Sequence, residues 1–243
     1  MYIIDHLIDL HNHYTSETTQ YILSEYFLLH LKKLNRLKLN EVAKQTHISS
    51  SSITRFCKSN GYETFSSFID LLYLDVRKVI NQFDYTFMNR RKININPEIQ
   101  DKLIDLVKDL KQSQRVILYG SPKYCSLFNQ LIKYLFIQGI NVIECKTWSI
   151  EQREMNFDKM DNEDTIIIVD PSYNIKIFLE ETETSIGGIT HIRTAKGKKY
   201  FIGDGEQDFL DIKAIKLYQD NEYEYYKSCY DYIVFILYML MED

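Results

Sequence analysis

Four consecutive serines, Ser49-Ser50-Ser51-Ser52, followed by Thr54, Arg55 and Lys58, form a dense group of side chains suited to an anionic surface. Small hydroxyls at the start of a helix permit close approach. Their oxygens and the free backbone N–H groups bind phosphates or base edges. Arg55 is the residue of this group able to make a bidentate contact to guanine. Lys44, slightly upstream, adds a charge suited to a phosphate. Between Lys32 and Tyr62 the basic residues Lys32, Lys33, Arg36, Lys38, Lys44, Arg55 and Lys58 are opposed only by Glu41. The whole chain carries a net charge of −5, yet residues 1–92 hold 12 Lys+Arg against 9 Asp+Glu. A basic stripe inside an acidic protein is an electrostatic footprint for a polyanion. On charge alone, a solvated helix face remains the alternative.

Those residues need a scaffold, and the pattern from Leu39 to Lys58 fits the twenty-residue helix-turn-helix. Two short helices crossing steeply need a small residue where they touch, which Ala43 supplies. Val42, Ile48, Ile53 and Phe56 supply inward apolar positions. The turn calls for a residue that tolerates positive φ, and His47 takes the place usually held by glycine. Ser49 is the expected cap of the second helix, leaving Ser50, Ser51, Thr54, Arg55 and Lys58 outward. The first proline is Pro97, and Gly61 is the sole glycine before it, so this region reads as helices joined by tight turns. Ile3, Ile4, Leu7, Ile8 and Leu10 predict a short amphipathic helix, Thr15-Ser16-Glu17 a cap, and 65–75 a closing helix.

The stretch from Ile48 through Arg55-Phe-Cys-Lys58 to Gly61-Tyr62, followed by Phe65-Ser-Ser-Phe68, resembles the RpiR/MurR family of regulators over residues ~17–75. The resemblance implies a transcription regulator of sugar-metabolism genes that binds double-stranded DNA. It also implies a C-terminal sugar-isomerase (SIS) domain that takes a phosphorylated sugar. The expected organisation is a helix-turn-helix domain at 1–75, a linker at 76–98 and an effector or dimerisation domain at 99–243.

The second half fits that architecture. Runs at 115–119, 141–144 and 164–170 read as strands alternating with helices at 122–138 and 147–160. Near-continuous β-branched runs of this kind predict a mainly parallel sheet covered on both faces, an SIS-like, flavodoxin-like sandwich. Further strands are expected at 189–193 and 214–218, and a closing helix at 222–241. The family's phosphate loops resemble Gly-x-Gly-x-Ser and Ser-x-Ser-Gly-x-Thr. Here they read Gly120-Ser121-Pro122-Lys123-Tyr124 and Asp170-Pro171-Ser172-Tyr173-Asn174-Ile175. Pro122 has no N–H, Tyr124 and Tyr173 are bulky, and Asp170 is an acid where an anion is expected. Gly120, Ser121, Lys123 and Ser172 remain as candidate effector-binding residues. Phosphosugar binding, a different small ligand and a purely structural dimerisation domain all stay open.

An isomerase would need intact loops and a poised Glu or His, so the reading is no enzyme, no catalytic residues and no cofactor. His6, His11 and His13 lie close in sequence but are expected in solvent, with no metal site. Tyr223, Tyr225 and Tyr226 suit a core or interface better than a ligand platform, and Lys196, Lys198 and Lys199 suit a solvated loop. The four cysteines lack CxxC spacing, the N-terminus lacks a signal-peptide pattern, and no apolar run approaches the ~20 residues of a membrane span. A cytoplasmic protein with free thiols and no membrane partner is expected. Because two reading helices match two half-sites, a homodimer or homotetramer is the expected assembly.

Overall fold

The computed structural model describes residues 2–14, 16–88, 93, 95–120, 122–146, 157, 159–170, 192, 194–204, 211–217 and 222–242. It divides into two compact units. Unit 1 comprises Met1–Arg90 together with Lys133–Asn141, and unit 2 comprises Arg91–Ile132 and Val142–Asp243.

Unit 1 opens with α1 (Ile3–His13), α2 (Thr19–Leu29) and a 3₁₀ turn (Leu31–Arg36). The helix-turn-helix pair α3 (Leu39–Thr46) and α4 (Ser50–Ser59) follows, then the long α5 (Phe65–Met88). Helix α2 is capped by Thr18, whose side chain accepts from the Tyr21 amide at 3.2 Å. The expected cap lay just upstream, and its Thr15 is outside the described residues. Helix α5 runs on through 76–88, where a linker was expected. The cause is visible in the residue spacing: Phe68, Leu72, Val76, Val79 and Phe83 continue one buried stripe at helical intervals.

The core of unit 1 is aromatic. Phe27 of α2 lies 4.9 Å from Phe68 and 6.3 Å from Phe56, measured between ring centroids, and Tyr62 lies 5.2 Å from Phe68. Offset and edge-on ring pairs of this kind add to the stabilisation from burial. The segment Lys133–Asn141 completes the unit. Lys133 pairs with Asp5 at 2.7 Å, Tyr134 meets Phe83, and Phe136 meets His11 edge-on. His11 is therefore 2% exposed rather than solvated.

Unit 2 is an α/β sandwich, the expected fold class. Its elements are α6 (Pro97–Gln112), β1 (Arg115–Gly120), the short α7 (Pro122–Cys125), β2 (Asn141–Lys146), β3 (Asp164–Asp170), β4 (Lys198–Gly203), β5 (Ile212–Lys216) and α9 (Glu222–Met241). Helix α8 (Asn129–Gln138) precedes β2. The five strands lie in the order β2-β1-β3-β4-β5, with β1, β3, β4 and β5 parallel. Strand β3 is central and buried from Asp164 to Val169, as expected of a strand covered on both faces.

Several sequence expectations need correction here. The expected strand at 189–193 falls mostly outside the described residues, and Ile192 within it is helical. The strand lies instead at Lys198–Gly203, where a solvated lysine loop was expected. Lys199 is 3% exposed because β4 is an inner strand, and its ammonium is matched by Asp211. The expected helix at 147–160 lies almost wholly outside the described residues, and the 122–138 helix is broken by a 3₁₀ turn at Ser126–Phe128. Strand β5 begins two residues before its expected start.

Candidate nucleic-acid interface

Helix α4 is held by backbone devices at both ends. His47 ends α3 at φ 57° and ψ 24°, the left-handed conformation that histidine enters more readily than most residues. Ser49 then caps α4, its Oγ accepting from the Ser52 amide at 3.2 Å. Its hydroxyl also lies 2.9 Å from those of Ser51 and Ser52. The Ser49 side chain is thus committed to holding the helix start.

At the other end Gly61 sits at φ 88°. Its amide donates to the Lys58 carbonyl at 3.1 Å, and the Tyr62 amide donates to the Cys57 carbonyl at 2.9 Å. That pair of bonds is a Schellman motif, and its left-handed position favours glycine. Asn60 at this end donates to the Phe56 carbonyl and contacts the His6 ring at 2.5 Å. Helix α1 therefore braces α4.

Between these ends α4 is strongly two-faced. Ile53, Phe56 and Cys57 are buried, while Ser51, Arg55 and Lys58 are exposed along the opposite stripe. Ser50 and Thr54 are half-buried, and the Thr54 hydroxyl donates to the Ser50 carbonyl at 2.9 Å. Burial pushes the Cys57 thiol up to about 11, so it is an inert core group rather than a nucleophile. Lys44 on α3 is exposed. Lys44, Arg55 and Lys58 form no ion pair with any described residue, so their charges are uncommitted. Tyr26 of α2 donates to Gln45 at 2.7 Å and ties the first helix of the pair to the core. This tyrosine tether, the Schellman glycine and the His6 brace were not anticipated. Gly61 followed by an aromatic residue was the one available signal.

In unit 2 the chain passes from β1 outward to β2 and returns to β3 on the other side. The carboxyl ends of β1 and β3 therefore flank a topological switch point, the crevice where open α/β sheets take ligands. Gly120 ends β1 there, and a Cβ on it would lie 2.5 Å from the Val169 carbonyl oxygen, so close strand approach demands glycine. Lys123 is exposed, with its ammonium 5.7 Å from the Tyr124 ring centre and 5.6 Å from that of Tyr226. Tyr124 packs edge-on against the buried Tyr225. Tyr225 thus serves the packing of α9, while Tyr124 and Tyr226 flank the Lys123 ammonium. Ser121 and Ser172 lie outside the described residues.

Among the described residues no group of His, Cys, Asp and Glu stands close enough to hold a metal ion. Cys57, Cys125 and Cys229 are buried free thiols. No helix among the described residues is long and apolar enough to cross a membrane.

Residues 6–72 match the family model described as the helix-turn-helix domain of the rpiR family. No curated protein matches the sequence. Among solved structures, the Vibrio vulnificus NanR protein complexed with ManNAc-6P is similar over 99% of this chain and 91% of its own, at 11% identity and a TM-score of 0.43.

Proposed function

We propose, from an N-terminal domain that is a helix-turn-helix of the rpiR family, that the chain is a transcription regulator binding double-stranded DNA through α4. The observation that carries this reading is the opposition of stripes on α4. Ile53, Phe56 and Cys57 hold the helix to the core, while Ser51, Arg55 and Lys58 face outward, Arg55 and Lys58 with no ion-pair partner among the described residues. Ser49, Ser50 and Thr54 belong to the same face, the first mainly through its cap, and Lys44 is assigned to a phosphate. Sequence would be read chiefly by Arg55, and the remaining groups would set register on the backbone.

The α/β domain is assigned a regulatory ligand, not a reaction. Its position is the switch point beside Gly120 and Lys123, with Ser121 and Ser172 as further donors, and its class is a phosphorylated sugar. The regulator is assigned as a homodimer or homotetramer in the cytoplasm.

Selecting binding sites from a random duplex library tests the reading. Arg55→Ala should weaken binding to the selected site by about 1–3 kcal/mol and relax one base position. Lys44→Ala should weaken all duplexes evenly and reduce the salt dependence. Absence of any selected sequence, or unchanged affinity for Arg55→Ala, removes α4 as the reader. Repeating the assay with hexose and N-acetylhexosamine phosphates tests the ligand. If none changes operator affinity, the phosphosugar assignment fails while DNA reading stands.

A further inference from the structure

Among the described residues, the large apolar side chains left open to solvent are Tyr14, Leu71, Tyr73, Leu74, Ile80 and Tyr230. Four of these six lie within ten residues of α5. Leu74 is 51% exposed and Leu71 46%. Leu71 lies within about 60° of the Leu74 direction, whereas Tyr73 and Ile80 lie about 100° and 120° round the helix, so Leu71 and Leu74 are the apolar part of one face. The opposite side of α5, with Phe68, Leu72, Val76 and Val79, is already used in the core of unit 1. The open face is therefore a second surface on the same helix.

Its charges have a symmetry. Asp70 and Lys78 stand four residues either side of Leu74, Leu71 and Arg77 three either side, and Ser67 and Asn81 seven either side. At about 100° per residue all of them fall within about 60° of the Leu74 direction. An antiparallel copy of the helix, related by a two-fold axis at Leu74, would set Asp70 against Lys78 of the second copy, twice over. Leu71 would cover the aliphatic stem of the second copy's Arg77. A parallel copy would set Asp70 against Asp70 and Lys78 against Lys78. An unrelated partner gives no reason for the pattern to be self-complementary, whereas a two-fold contact requires it.

We propose that this face of α5, centred on Leu74, is an isologous interface for a second copy of the chain, the two helices crossing antiparallel. The pairing does not depend on DNA reading, and its test uses none.

In the full chain, Leu74→Cys places a thiol on the symmetry axis, where it meets its own counterpart. Under mild oxidation this variant should form a disulfide-linked dimer. With Cys145→Ser throughout, the chain without Leu74→Cys, whose Cys57, Cys125 and Cys229 are buried, and a Lys108→Cys control at an exposed position of α6 should not. Adding Asp70→Lys to Leu74→Cys should slow the cross-link about tenfold through like charges, and adding Lys78→Asp as well should restore it. Three results overturn the proposal: no cross-link at Leu74, one no faster than at Lys108, or one indifferent to the charge swap. If the chain is dimeric by light scattering yet uncross-linked at Leu74, the dimer forms through another surface and the proposal falls.

Discussion

Glu25 shows how a single half-buried carboxylate is governed by opposing forces. Burial raises its pKa, but the His11 ring at 3.7 Å and hydrogen bonds from Tyr21 and Asn141 outweigh that and hold it below its ordinary value of 4.5. A group with a lowered folded pKa binds fewer protons folded than unfolded. Its stabilising contribution is therefore complete above 4.5 and is lost as the pH falls through the folded value. Replacing it by Glu25→Gln should lower the melting temperature at neutral pH and flatten the acid limb of the profile below 4.5. Parallel acid limbs in the two proteins would show that Glu25 does not titrate in this way. Residue chemistry of this kind was hidden in the sequence. His11 carries no local sign that residues 133–141 will cover it.

At the level of elements, α5 tests the most consequential departure from expectation. If 76–88 were a linker, truncating Phe83 would cost little. As a buried residue 5.6 Å from the Tyr134 ring, Phe83→Ala should cost about 3–5 kcal/mol in chemical denaturation. A loss within a few tenths would mean that this part of the helix bears no load. Elements with strong local signals were legible. The strand Asp164–Asp170, the helix Glu222–Met241, the Ser49 cap and the His47 turn all follow from residue type at short range. Elements decided by tertiary burial were not. Lys198 and Lys199 concealed a strand because Asp211, twelve residues beyond Lys199, is what makes burying that lysine tolerable. Basic residues at 77, 78 and 90–92 made a helix look like a linker, although its apolar stripe continues past 77 and 78 to Phe83. In the candidate interface, the reading face was legible from spacing, while its braces at His6 and Tyr26 needed three dimensions.

Unit 1 is discontinuous, and nine residues from the middle of the chain, Lys133–Asn141, belong to it. A fragment of residues 1–92 would lose the Lys133 partner of Asp5, the Tyr134 contact to Phe83 and the Asn141 bond to Glu25. Its amides should exchange faster than the same amides in the full chain, with α1 and the distal half of α5 most affected. Equal protection in both would show that 133–141 is incidental to the unit. The discontinuity also sets an order of events during synthesis. When residue 90 leaves the ribosome, helix α4 has already been made, yet the covering segment is still some fifty residues away. At roughly 5–20 residues per second, that interval lasts several seconds. Through it the nascent chain exposes the apolar surface destined for Tyr134 and Phe136, which makes it a substrate for chaperones. The helix-turn-helix unit is complete only after the first βα segment of its companion has been translated.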